Sequence, residues 1–194
     1  MKSLKLICAI VLASILTNSL IAQKDKDEKP ALITFTAGWS NSTFTGDNTN
    51  MLENRNGFFA GVRKDFKLIP FLKLNTGVLF TQQGAGFKNE DIADYELSYI
   101  DVPVGLKFKL GPIFATGGLS ANFKIGEDIG DVPENQDPDI KAFDMVYSVG
   151  LGVKILMISL DLRWNNSFID ITRADGEAKN SYFLVGLGFS IQRN

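Results

Sequence analysis

From residue 31 onward the chain alternates apolar and polar side chains at every second position, and no segment keeps a helical period for long. Period-two alternation puts successive side chains on opposite faces of a strand. It predicts strands over 31–40, 57–66, 71–84, 96–109, 113–124, 142–154, 157–169 and 181–191. The connections differ in kind. Those at 41–56, 85–95, 125–141 and 170–180 are long and polar, whereas Lys67–Pro70, Leu110–Pro112 and Ile155–Leu156 are tight. Long and short alternate along the whole chain. In an antiparallel up-and-down sheet every second connection falls at the same end, so one end gathers tight turns and the other gathers large loops.

The two faces carry different chemistry. One reads Phe58, Ala60, Val62 and Phe66; then Ile100, Val102, Val104, Leu106 and Phe108; then Tyr147, Val149, Leu151 and Val153, with the last two strands alike. Lys64 interrupts it near a turn, where its stem can snorkel. The other face is built of Thr, Ser, Asn and many Gly, with four basic residues (Arg63, Lys73, Lys107, Arg163) and four acidic ones (Asp65, Asp101, Asp144, Asp161) in mid-strand. A soluble sheet has little use for so much glycine on its wet side, whereas a narrow barrel needs small residues among long ones to fill its interior. The fold predicted is therefore all-β, an eight-stranded antiparallel up-and-down transmembrane β-barrel, with short turns on one side and longer loops on the other. Slipping the strands by one residue turns the four basic side chains toward lipid at roughly 2–4 kcal/mol each near the midplane, which fixes the register. The eight interior charges balance and are expected to pair across a closed or narrow polar lumen, because unpaired charges there are costly. The aromatics Phe58, Phe66, Phe71, Phe80, Tyr99, Phe108, Phe123, Phe143, Trp164, Phe168 and Phe183 are expected in two interfacial girdles. A lipocalin-like soluble carrier, with the apolar face turned inward, is the competing reading.

The first 22 residues read as a secretory signal peptide, with Lys2 and Lys5 ahead of an apolar core from Leu6 to Leu16 and cleavage expected after Ala22. Cys8 sits near the start of that core rather than its end, so lipidation is not expected. Residues 23–30, including Lys24–Pro30, read as a solvated linker, and 31–194 as the barrel domain. Removing Lys2 and Lys5 leaves 18 basic residues of the original 20 against 22 acidic ones, a net charge of −4. Nucleic acid is not an expected partner of such a chain.

Composition narrows the chemistry further. There is no histidine and one cysteine. The commonest general base and metal ligand are thus missing, and so are a disulfide and a zinc cluster. No catalytic, cofactor or metal site is expected. The 127–139 segment holds six acids (Glu127, Asp128, Asp131, Glu134, Asp137, Asp139) but lacks EF-hand spacing, and Pro133 and Pro138 suit a solvated loop. Gly117-Gly118 and Gly150-Leu151-Gly152 lie within strands and have no following helix, so they read as interior spacers rather than phosphate loops. Pro103 cannot donate to a ladder, and Asp101 with Pro103 is expected to mark a bulge or a local break in pairing.

The strand Tyr99-Ile-Asp-Val-Pro-Val-Gly-Leu-Lys-Phe108, followed by Gly111-Pro112 and the small-residue strand through Phe123, resembles the PorT-like outer-membrane β-barrel family of Bacteroidota. Asp161-Leu-Arg-Trp-Asn-Asn-Ser-Phe-Ile-Asp170 is similar to that family's penultimate strand, with Ser167 where glycine is usual. The resemblance implies an eight-stranded barrel in the outer membrane and leaves function open, since members are diverse and one branch assists secretion. Many bacterial barrels end on an aromatic residue, whereas this chain runs past Phe189 to Asn194, leaving Phe189 or Ile191 to serve. The function expected is non-enzymatic: a barrel presenting four extracellular loops for structural or interaction roles. Its expected partners are outer-membrane lipid and lipopolysaccharide, with a protein partner at the loops. A small-solute channel is the alternative.

Overall fold

The computed structural model describes residues 32–46, 52–87, 94–129, 140–171 and 178–191. The expected signal peptide and linker, the tips of the long connections and four of the six acids of the 127–139 segment lie outside them. The described strands are β1 (Leu32–Gly46), β2 (Leu52–Glu53), β3 (Arg55–Ile69), β4 (Leu72–Phe87), β5 (Tyr95–Leu110), β6 (Ile113–Ile129), β7 (Phe143–Ile155), β8 (Ile158–Ser167) and β9 (Ala178–Ile191). β2 and β3 both pair with β4 and are parted only by Asn54, so together they form one stave. Eight staves result. Each pairs antiparallel with its neighbour in sequence, and β1 pairs with β9 to close the barrel.

The register sets the shape of the cylinder. Stepping from partner to partner, Ile33 leads to Lys64, Thr76, Val104, Leu119, Tyr147, Asn166 and Ser181, and returns to β1 at Thr43, ten residues beyond the start. With ~3.3 Å per residue and ~4.8 Å between strands, that stagger over eight staves tilts the strands about 40° and makes the backbone cylinder about 16 Å across. Such a bore holds side chains and little else. Because the stagger is even, the inward and outward faces keep their identity all the way round.

Sorting by face follows the alternation in the sequence. Phe35, Val62, Val104, Leu106, Val149, Leu151, Leu162, Trp164, Leu187 and Phe189 are exposed outward, while Arg63, Asp65, Asp101, Asn122, Asp144, Asp161 and Arg163 are buried within. Phe58 and Phe80, Phe71 and Phe108, Phe123 and Phe143, and Tyr147 and Trp164 meet in pairs on the outer face. Tyr99 departs from its expected place. It points inward with no exposed surface, because it shares the face of Asp101 and its neighbour Ile100 takes the lipid side. On the loop side β1, β4, β6 and β9 run past their expected ends, to Gly46, Phe87, Ile129 and Ala178, whereas β8 stops short of its expected end, at Ser167.

Pairing is interrupted where proline predicts it. The β4–β5 ladder skips from Thr76↔Val104 to Leu79↔Asp101, leaving Pro103 and Val102 without ladder partners in β4. The register is the same on both sides of the gap, so this is a break and no bulge. The bulge lies instead in the β5–β6 ladder, where Ser98 and Tyr99 face Gly126 and Lys124 and Ile125 of β6 is the extra residue.

Candidate functional site in the lumen

Inward side chains stack in levels along the barrel axis, and the chemistry changes from one level to the next. On the tight-turn side lie two ionic groups. Asp161 of β8 accepts from Arg63 Nη1 of β3 at 3.2 and 3.3 Å, and its other guanidinium neighbour, Arg163 Nη2, stands 3.9 Å away. All three side chains are buried. Asp65 accepts from Lys107 Nζ at 3.1 Å and from Asn75 Nδ2 at 2.6 Å, and the same ammonium sits 4.2 Å from the centroid of the Phe114 ring. The strands bring these groups together because Lys107 and Asn75 lie on neighbouring staves, with Asn75 directly opposite Asp65.

Higher in the barrel the two remaining acids meet neutral donors only. Asp101 accepts from Thr81 Oγ1 at 2.6 Å. Asp144 accepts from Ser167 Oγ and from Asn180 Nδ2, the latter at 3.2 Å. Asn122 donates to Tyr182 Oη at 3.0 Å. Five of the eight expected charges therefore join ion pairs: Arg63, Asp65, Lys107, Asp161 and Arg163. Asp101 and Asp144 stand apart from them because the ten-residue stagger puts them nearer the loops, and no salt bridge reaches Lys73 among the described residues. One carboxylate oxygen each of Asp101 and Asp144 has no protein partner.

The loop-side half also holds two apolar clusters among these polar groups, which a uniformly polar lumen does not anticipate. Phe59, Val146, Tyr182 and Leu184 form one buried cluster, and Phe44, Ala85, Tyr95, Leu97, Tyr99, Ile140 and Ile171 form another. Glycines opposite make this possible. A Cβ on Gly186 would stand 2.5 Å from Cζ of Phe59, so the ring occupies the space that the missing side chain leaves. At the rim, Glu96 is held by Arg55 and by Gln82 Nε2 at 2.7 Å.

Among the described residues these levels leave little room on the turn side. The space left beside Arg63, Lys107, Phe114, Asp161 and Arg163 is about 10 Å³. A cavity needs about 10–15 Å³ to admit one water. Among the described residues no group of three or more acids or cysteines gathers in a way that could hold a metal ion. Several of the Ser and Thr hydroxyls are engaged structurally: Ser40 and Ser42 donate to the carbonyls of Gln82 and Gly84, and Thr81 and Ser167 to the carboxylates above, whereas Thr36 Oγ1 and Ser120 Oγ have no protein partner.

A family model described as an outer membrane protein beta-barrel domain matches residues 21–173. Among solved structures, Ail, the attachment invasion locus protein of Yersinia pestis, is similar with a TM-score of 0.53 and 14% identity, over 83% of this chain and 99% of that one. The same protein in complex with the heparin analogue sucrose octasulfate gives a TM-score of 0.55 and 17% identity, over 83% and 99%. Neisserial surface protein A gives 0.50 and 14%, over 83% of this chain and 97% of its own. At such identities the likeness is one of fold. No curated protein matches the sequence.

Proposed function

The chain belongs to the outer-membrane β-barrel family and resides in the bacterial outer membrane, and from that premise we propose that it is a non-conducting, non-enzymatic barrel whose work is done by its loops. The observation that carries this reading is the filled bore, with an Arg63–Asp161–Arg163 cluster below and a Phe59–Val146–Tyr182–Leu184 cluster above. A protein that spends its interior on packing keeps its exposed loops for contact with lipopolysaccharide, with lipid or with another protein. The chain carries no histidine, which supports a role without acid–base catalysis. Both termini then lie on the periplasmic side with the three tight turns, and the four long connections face outward, as is usual for such barrels. Within the family, the Tyr99–Phe108 strand supports a place in the PorT-like branch, and residues 1–22 act as the export signal.

A narrow solute channel is the second reading. It is favoured by buried polar atoms without protein partners, such as Asp101 Oδ1 and Arg163 Nε. Planar-bilayer recording of the purified, refolded chain separates the two. The closed barrel gives no steady openings, and regular openings of porin size sink it.

A further inference from the structure

The three tight turns are apolar, although the turns of a barrel are ordinarily bathed in water. Lys67 leads into Leu68-Ile69-Pro70-Phe71, Lys109 into Leu110-Gly111-Pro112-Ile113, and Lys154 into Ile155-Leu156-Met157-Ile158. Leu156 is 91% exposed and has φ of 53°, a left-handed conformation that favours Gly or Asn, yet the position holds a bare leucine.

The outer surface shows where these turns lie in the membrane. On the loop side, Trp39, Phe58, Phe80, Phe123, Phe143, Trp164 and Phe183 form a girdle. Beyond it outward positions become polar, at Asn41, Asn56, Gln82 and Ser98. On β5 the outward apolar run descends ten residues, from Ile100 to Leu110. At a tilt of about 40° that is about 25 Å of height, the whole of an outer-membrane apolar band. The band therefore ends on the turn tips and leaves no polar rim, so the tight-turn mouth of the lumen opens at the level of the inner-leaflet headgroups.

That mouth is basic. Lys67 is directly opposite Lys73, and Lys73 directly opposite Lys107. Lys109 and Lys154 occupy the inward positions beside them. Like charges in direct register repel. Asp65 lies among them and is already engaged by Lys107 and Asn75. Among the described residues no salt bridge joins Lys67, Lys73, Lys109 or Lys154, and the Lys154 ammonium meets only the neutral hydroxyl of Ser190.

We propose that the tight-turn end binds the headgroup of an anionic glycerophospholipid of the inner leaflet, with the apolar turns seated among the lipids and the lysine ring holding the phosphate. The charge complementarity is one-sided. A zwitterionic headgroup brings its own cation toward the lysines, whereas phosphatidylglycerol brings only the phosphodiester.

Native mass spectrometry of the folded chain in detergent, with phosphatidylglycerol and phosphatidylcholine added in turn, tests this. Phosphatidylglycerol adducts are expected to be about tenfold or more preferred. The quadruple variant Lys67→Gln, Lys73→Gln, Lys109→Gln, Lys154→Gln is expected to lose that preference, and the matching Lys→Arg quadruple to keep it. Leu156→Asp is expected to weaken retention with the ring intact, and inorganic phosphate is expected not to displace the lipid. Heat-modifiable gel migration verifies that each variant is folded. Equal retention of the two lipids, undiminished retention by the folded glutamine variant, displacement by inorganic phosphate, or a lipid-free dimer joined through the turns would each overturn the proposal. None of these outcomes bears on whether the lumen conducts.

Discussion

Asp161 is the residue on which the charged level of the lumen depends, because among the described residues it is the one carboxylate that forms salt bridges with both Arg63 and Arg163. Both guanidiniums are buried and the space beside them is about 10 Å³, so little else can take over the missing charge. Asp161→Asn keeps the shape of the side chain and removes the anion. Leaving a buried charge without its partner costs about 3–5 kcal/mol, and the variant is expected to lose that amount in reversible urea unfolding from detergent micelles or vesicles. Replacing the complete cluster is a different matter. Arg63→Met, Asp161→Leu and Arg163→Met together remove both the attraction and the desolvation, and are expected to restore stability to near that of the parent. Were the single variant as stable as the parent, the two arginines would have to be solvated, and the lumen would be wetter than its packing indicates.

At the scale of the strand, Pro103 shows how one residue edits a ladder without moving it. The pairs on either side of the gap share one register, so β4 and β5 are aligned correctly and lack only the bonds an amide at 103 would make. Pro103→Ala supplies that amide beside Gly77, and hydrogen exchange is expected to find it slowly exchanging; rapid exchange of the new amide would mean that the strands are splayed there for another reason. Strand number, order of connections and, Tyr99 excepted, choice of face were legible in the sequence, because each depends on alternation alone. Strand ends were not. Beyond the apolar band both faces are wet or polar, as at Asn41 to Thr43 in β1, and alternation has nothing to report. The height of each inward residue was also hidden, since it follows from a ten-residue stagger that no single strand encodes. Hence Asp101 and Asp144 share a face with Arg63 and Arg163 and yet find hydroxyl and amide partners instead. Phe59 escaped notice for a local reason: it adjoins Phe58 and Ala60, and three apolar neighbours in a row mask which of them turns inward.

In the whole molecule, an ionic level and an apolar level occlude the same bore by unrelated means. Arg63, Asp161 and Arg163 close it by salt bridges near the turns, while Phe59, Val146, Tyr182 and Leu184 close it by packing nearer the loops. Two independent plugs imply that opening either one leaves the other in place. The variant Arg63→Ala with Arg163→Ala, and separately Phe59→Ala with Tyr182→Ala, are each expected to remain silent in planar bilayers. Joining all four substitutions should align the two openings along the axis of a cylinder about 16 Å across and produce steady conductance. Heat-modifiable migration and single-channel recording on the same preparation distinguish an opened barrel from an unfolded one. Conductance in either double variant would show that one level alone is the gate, and the lumen would then have to be read as a channel held shut at a single point.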